Sequence, residues 1–132
     1  MNNNHYKSEF SESWLSNGVV HQVISPKVKQ INLKIAKQLV ADRSFAMGGV
    51  GLTLPVFVII NNAKSVDAEA KAYYKTKEAY QNISAIAMLI DNHIARLVGR
   101  LIFIINPPSV PTALFNSEEK AFDWLKNYQN LN

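Results

Sequence analysis

Two short runs decide the fold: Leu54-Pro55-Val56-Phe57-Val58-Ile59-Ile60 and Ser84-Ala85-Ile86-Ala87-Met88-Leu89-Ile90. Both are short and almost wholly apolar, and the first is rich in β-branched residues; this is the pattern of central strands covered on both faces. Pro55 is tolerated near the start of the first strand. Ala85 and Ala87 are small enough for a helix to sit close to the second. Between the runs, Asn61, Asn62 and Lys64 form an exit loop. Asp67 then stands ready to cap a helix over residues 68–80, which is rich in Ala, Lys and Glu. Strand, helix and strand in that order require a crossover, which is right-handed in nearly every case.

The pattern extends in both directions. Residues 6–15 alternate loosely, with Tyr6, Phe10, Trp14 and Leu15 among polar neighbours, and predict a strand exposed on one face. Asn17-Gly18 follows as a hairpin turn, because both positions accept positive φ. Val19–Ile24 returns as the second strand and Ser25-Pro26 ends it. Asn32 caps a helix whose inner side carries Ile35, Ala36, Leu39, Val40, Arg43 and Met47, with Lys34, Lys37 and Gln38 toward solvent. Gly48-Gly49 stops it. Downstream, Ile94, Leu97, Val98, Leu101, Ile102 and Ile105 make a wide helical stripe, halted by Asn106-Pro107-Pro108. Thr112–Phe115 predicts a short last strand. Asn116 with Glu119 predicts the cap of a final helix that carries Ala121, Phe122, Leu125 and Tyr128 inward. The predicted order is β-β-α-β-α-β-α-β-α: an α/β layer architecture with helices packed against a mixed sheet.

At 132 residues, 48% of them apolar, the chain is read as one domain over 1–132 with residues 1–5 as a flexible tail. The absence of cysteine excludes disulfides, thiol nucleophiles and Cys-ligated metals. The net charge of +4 is spread, without the dense basic run and interleaved aromatics of a nucleic-acid groove. Nucleic acid is therefore not an expected partner. No transmembrane segment is expected either: Gly48, Gly49, Gly51 and Pro55 break one uncharged stretch, and Asp91, His93, Arg96 and Arg100 break another. The polar N-terminus lacks the apolar core of a secretory signal, which predicts a cytoplasmic protein.

Catalytic patterns fail in turn. No Gly-x-Ser-x-Gly elbow occurs. His5, His21 and His93 are isolated from one another, with His5 expected in the tail and His21 on a strand face. The Gly48-Gly49-Val50-Gly51 run follows a helix and precedes a strand, the reverse of a phosphate-cradling loop. Glu118 and Glu119 complement a helix N-terminus. Tyr73 and Tyr80 share a helical face that packs on the sheet, while Tyr74 is expected to be partly exposed. No catalytic residue, metal ligand or cofactor site is predicted.

The element order and hairpin-first beginning resemble the STAS/SpoIIAA-like family, and in particular its small bacterial STAS-like members. The likeness runs through Pro55–Ile60 to Asp67, Ile94–Gly99, Asn106-Pro107-Pro108 to Phe115, and Glu118–Leu125. In anti-anti-sigma members of that family, an Asp-Ser-Ser-Gly turn opens the helix after the third strand, and its serine is phosphorylated. Here the matching positions are Asp67, Ala68, Glu69 and Ala70, so no acceptor hydroxyl is present. The resemblance then casts Glu69 as a permanent negative charge at the position of a modified residue.

The resemblance implies a non-enzymatic regulatory or protein-interaction domain. Its expected contact surface comprises Asn61, Asn62, Lys64, Asp67, Glu69, Lys71 and Tyr74. The expected partner is a protein, and a homo-oligomer stays open. The rival expectation is a module for a small apolar or lipid-like ligand, motivated by the apolar Leu101–Ile105 segment and by Sec14-type kinship.

Overall fold

Phe57 pairs with Ala87 and Val58 with Met88 in parallel register, so the two apolar runs are neighbouring strands of one sheet. The computed structural model describes residues 5–48, 51–90 and 110–129. In chain order the strands are β1 (Tyr6–Lys7), β2 (Ser11–Ser16), β3 (Val19–Ile24), β4 (Gln30–Ile31), β5 (Leu54–Ile60), β6 (Ser65–Val66), β7 (Ile83–Ile90) and β8 (Thr112–Phe115). The helices are α1 (Leu33–Met47), α2 (Ala68–Tyr73) and α3 (Glu118–Leu125), with 3-10 turns at Glu78–Tyr80 and Lys126–Tyr128. The helix expected around Ile94–Ile105 and its Asn106-Pro107-Pro108 stop lie outside the described residues.

Six strands form the main sheet in the order β1-β2-β3-β5-β7-β8. Strand β2 runs antiparallel to both β1 and β3, and β3, β5, β7 and β8 are parallel. A second ribbon, β4 with β6, is parallel and was not predicted. It fastens the loop after β5 to the loop after β3.

Three boundaries differ from expectation, each for a local reason. The strand expected over 6–15 is two strands. The Ser8 hydroxyl accepts from the Phe10 and Ser11 amides at 3.1 and 3.3 Å, and this local bonding turns the chain. The helix expected over 68–80 ends at Tyr73. There the Thr76 hydroxyl and amide both donate to the Tyr73 carbonyl, at 2.7 and 3.0 Å, and the chain continues into a 3-10 turn. The last helix is capped by Ser117, whose Oγ accepts from the Lys120 amide at 3.4 Å, so the cap lies one residue beyond Asn116.

Other expectations hold to the residue. Asn17 and Gly18 have φ of 52° and 76°, the left-handed pair a tight hairpin needs. Asn32 Oδ1 accepts from the Ile35 amide at 2.8 Å, and Gly48, at φ 71°, closes α1.

Alternation along the strands divides the core. Val20, Ile24, Val56, Val58 and Ile86 face α1 and α2. Phe57, Ala85 and Ala87 face α3, where Ala121 and Leu125 complete a second cluster. The two alanines thus seat a helix closely, as their size predicts.

Candidate interaction surface

The loop leaving β5 is built by its own side chains. Asn61 donates to the Ile24 carbonyl at 3.3 Å and Asn62 to the Pro26 carbonyl at 2.9 Å, both across to the loop after β3. The Lys64 amide donates to the Lys29 carbonyl at 2.9 Å, and the Asp67 amide to the Ile31 carbonyl at 3.0 Å. Asp67 Oδ1 then accepts from the Ala70 amide at 2.9 Å, which caps α2. Three of the seven singled-out residues, Asn61, Asn62 and Asp67, therefore spend their polar atoms on positioning the backbone. The exposed ones are Asn61, Lys64 and Glu69, with Lys71 half-buried.

Tyr74 is half-buried and turned toward the interior, as a member of a tyrosine cluster around Arg43. Tyr73 and Tyr74 rings lie 5.8 Å apart, and Tyr74 and Tyr80 rings 6.5 Å apart. The guanidinium of Arg43 is buried beside all three phenols and donates to the Ala79 carbonyl. Burial pulls Arg43 below its ordinary value and pushes the tyrosines up. Tyr73 reaches about 12, through burial first and then the Glu78 carboxylate beside its hydroxyl. Tyr73 enters the core and Tyr80 packs against it, but they converge on Arg43 from separate elements rather than along one helix.

Sequence reasoning missed a second polar group. Asp42 is fully buried, and its carboxylate accepts from Ser8 and Ser11 hydroxyls at 2.5 and 2.6 Å and from Gln38 at 2.8 Å. Gln22, also buried, donates to Ser11 Oγ and to the Leu39 carbonyl at 3.1 and 2.9 Å. The signal was available: Asp42 lies seven residues after Ile35, hence on the same side of α1.

On the opposite face, five rings form a continuous run. His5 stacks on Trp14 at 5.6 Å, Trp14 on His21 at 5.2 Å, and His21 contacts Phe57 and Phe122 at 5.9 and 5.5 Å. His5, assigned to the tail from sequence, also bonds Glu12 at 2.5 Å. His21 is held below its ordinary value by burial, against the opposing pull of Glu118.

A cleft of about 310 Å³ opens between α1 and the segment after α2, lined by Lys37, Ser44, Met47, Leu52, Tyr73 and Glu78 among others. Among the described residues, no group of three or more His, Asp or Glu side chains is arranged to hold a metal.

The DUF7793 domain, a domain of unknown function, matches residues 13–129. The chain belongs to the DUF7793 family. Among curated proteins, none matches it. Its fold is shared with a crystal structure from Shewanella loihica PV-4, an uncharacterized DUF3478-family protein with a SpoIIAA-like fold. The two are 13% identical, with a TM-score of 0.58 over 92% of this chain and 94% of that one. At that identity the likeness carries the fold alone. This DUF7793 chain has a SpoIIAA-like α/β fold, as the STAS resemblance implied. No helix among the described residues is long and apolar enough to cross a membrane.

Proposed function

We propose that this DUF7793 chain is a non-enzymatic protein-interaction domain of the STAS-like kind, whose contact surface is the loop after β5 and the start of α2. One observation carries the reading. Asp67 caps α2 while Ala68 and Glu69 stand exposed behind it, after a loop tied to the segment following β3 by the β4–β6 ribbon. A surface built in advance binds at a lower ordering cost than a loose one. With alanine and glutamate where STAS relatives carry hydroxyls, the surface holds a fixed charge and takes no phosphate. Regulation at this turn is constitutive.

The contact residues are Lys64, Glu69 and Lys71. Asn61, Asn62 and Asp67 hold the loop, and Tyr74 supports it from within. The test follows that division. Wild type and a Lys64→Glu/Glu69→Lys variant are compared in capture of partners from lysate of the source cell, at matched stability. Loss of a captured protein in the variant supports the surface, and equal recovery rejects it. A Glu69→Ser variant separately asks whether a restored hydroxyl makes capture sensitive to a kinase.

A further inference from the structure

Helix α1 is divided lengthwise. Its inner side buries Ala36, Leu39, Arg43 and Ala46. Its outer side carries Lys34, Lys37, Ala41, Ser44 and Phe45 within an arc of about 100°, at 3.6 residues per turn. That outer side is also polarised along its axis. The lysines occupy the N-terminal half, and Phe45 lies about 16 Å beyond Lys34 and about 12 Å beyond Lys37.

The apolar end is open. Phe45 is 61% exposed and Leu52 42%, values unusual for apolar side chains of their size among the described residues. Tyr6 supports the Phe45 ring from one flank at 4.8 Å. The cleft beside α1 is lined by Val40, Met47, Leu52 and Tyr73, with Lys37 among them. The Lys37 ammonium stands 5.9 Å from the ring centre of Tyr73, which also lines the cleft.

Charge on this side is unbalanced. Among the described residues, the ion pairs are His5–Glu12 and Lys126–Asp123, so neither Lys34 nor Lys37 has a carboxylate partner. The acidic lining residue, Glu78, sits against the Tyr73 hydroxyl, and Asp42 is buried beneath the helix.

We propose that the outer side of α1 and its cleft dock a segment of a partner protein bearing Asp or Glu at one end and a large apolar side chain at the other. Acid meets Lys34 and Lys37, and the apolar group enters the cleft beside Leu52. This complementarity selects a polypeptide. A nucleic acid would need cations along the whole track, and a membrane surface would need a broader apolar face.

The site is separate from the surface around Glu69. A synthetic peptide with Asp-Glu at one end and Leu-Phe at the other is titrated into the full chain by calorimetry. Saturable binding is expected, weakened about tenfold by Lys34→Glu/Lys37→Glu and by Leu52→Ser. Lys120→Glu, on α3, leaves it unchanged. The Lys64→Glu/Glu69→Lys variant also binds normally, so failure here and failure at the Glu69 surface are distinguishable. Absence of binding overturns the proposal. So does equal affinity for a peptide with lysines in place of its acids, or tighter binding to phosphatidylglycerol vesicles or a single-stranded oligonucleotide. Urea midpoints matching wild type show that the variants are folded.

Discussion

Ser11 and Ser13 stand two residues apart on the same buried face of β2, and their hydroxyls meet opposite fates. Ser11 Oγ donates to Asp42 at 2.6 Å and accepts from Gln22, while Ser13 Oγ has no hydrogen-bond partner among the described residues. A buried hydroxyl without a partner carries its desolvation cost unrelieved. Ser11→Ala is therefore expected to lower stability by about 1–2 kcal/mol, and Ser13→Ala to raise it by ~1 kcal/mol. Urea unfolding measures both. Two changes of the same sign would contradict the difference in bonding.

Removing the acceptor does more. Asp42→Ala leaves Ser8, Ser11 and Gln38 facing an empty carboxylate site, and the expected loss is about 2–3 kcal/mol. The hairpin and α1 meet through this group, so the loss should appear as a lower midpoint with an unchanged urea slope.

His21 ties stability to acid. Burial lowers its folded-state pKa below 6.5, against the pull of Glu118, so the unfolded chain binds the proton more readily. Its contribution is present above pH 6.5 and is lost as pH falls toward the folded-state value. Wild type should lose more stability between pH 7.5 and 5.5 than His21→Phe, which keeps the ring stack without the charge. Parallel losses in the two proteins would remove His21 as the cause.

The tyrosine cluster works at the alkaline end. Tyr73, Tyr74 and Tyr80 are raised above 10, Tyr73 to about 12, so the folded state holds their protons and loses stability as pH climbs past 10. Phenolate absorbance of the folded protein should lag that of the urea-unfolded chain. Arg43 pulls these values down from within the cluster, so Arg43→Met should delay the absorbance further. A curve that moves earlier would show that Arg43 does not face the phenols.

The sheet was legible because two of its central strands, β5 and β7, are almost wholly apolar. Leu54–Ile60 and Thr112–Phe115 begin and end where composition places them, and Asn32 and Asp67 cap where their oxygens reach an amide. What escaped was decided by contacts at long separation or by competing hydroxyls. Thr76 ended α2 from within, and Ser8 broke a strand whose alternation ran on past it. The candidate surface was half legible. Its location followed from a resemblance, but whether Asn61 and Asn62 face a partner or their own backbone depends on Ile24 and Pro26, more than thirty residues earlier.

The ring of Phe122 lies 4.6 Å from that of Phe57, and the helix that carries it comes late in the chain. Synthesis runs from the N-terminus, so the hairpin, α1 and β5 emerge before anything exists to cover that side of the sheet. Phe57 must wait on the ribosome with a wet aromatic ring, and a nascent chain stalled before α3 should be the species that recruits chaperones.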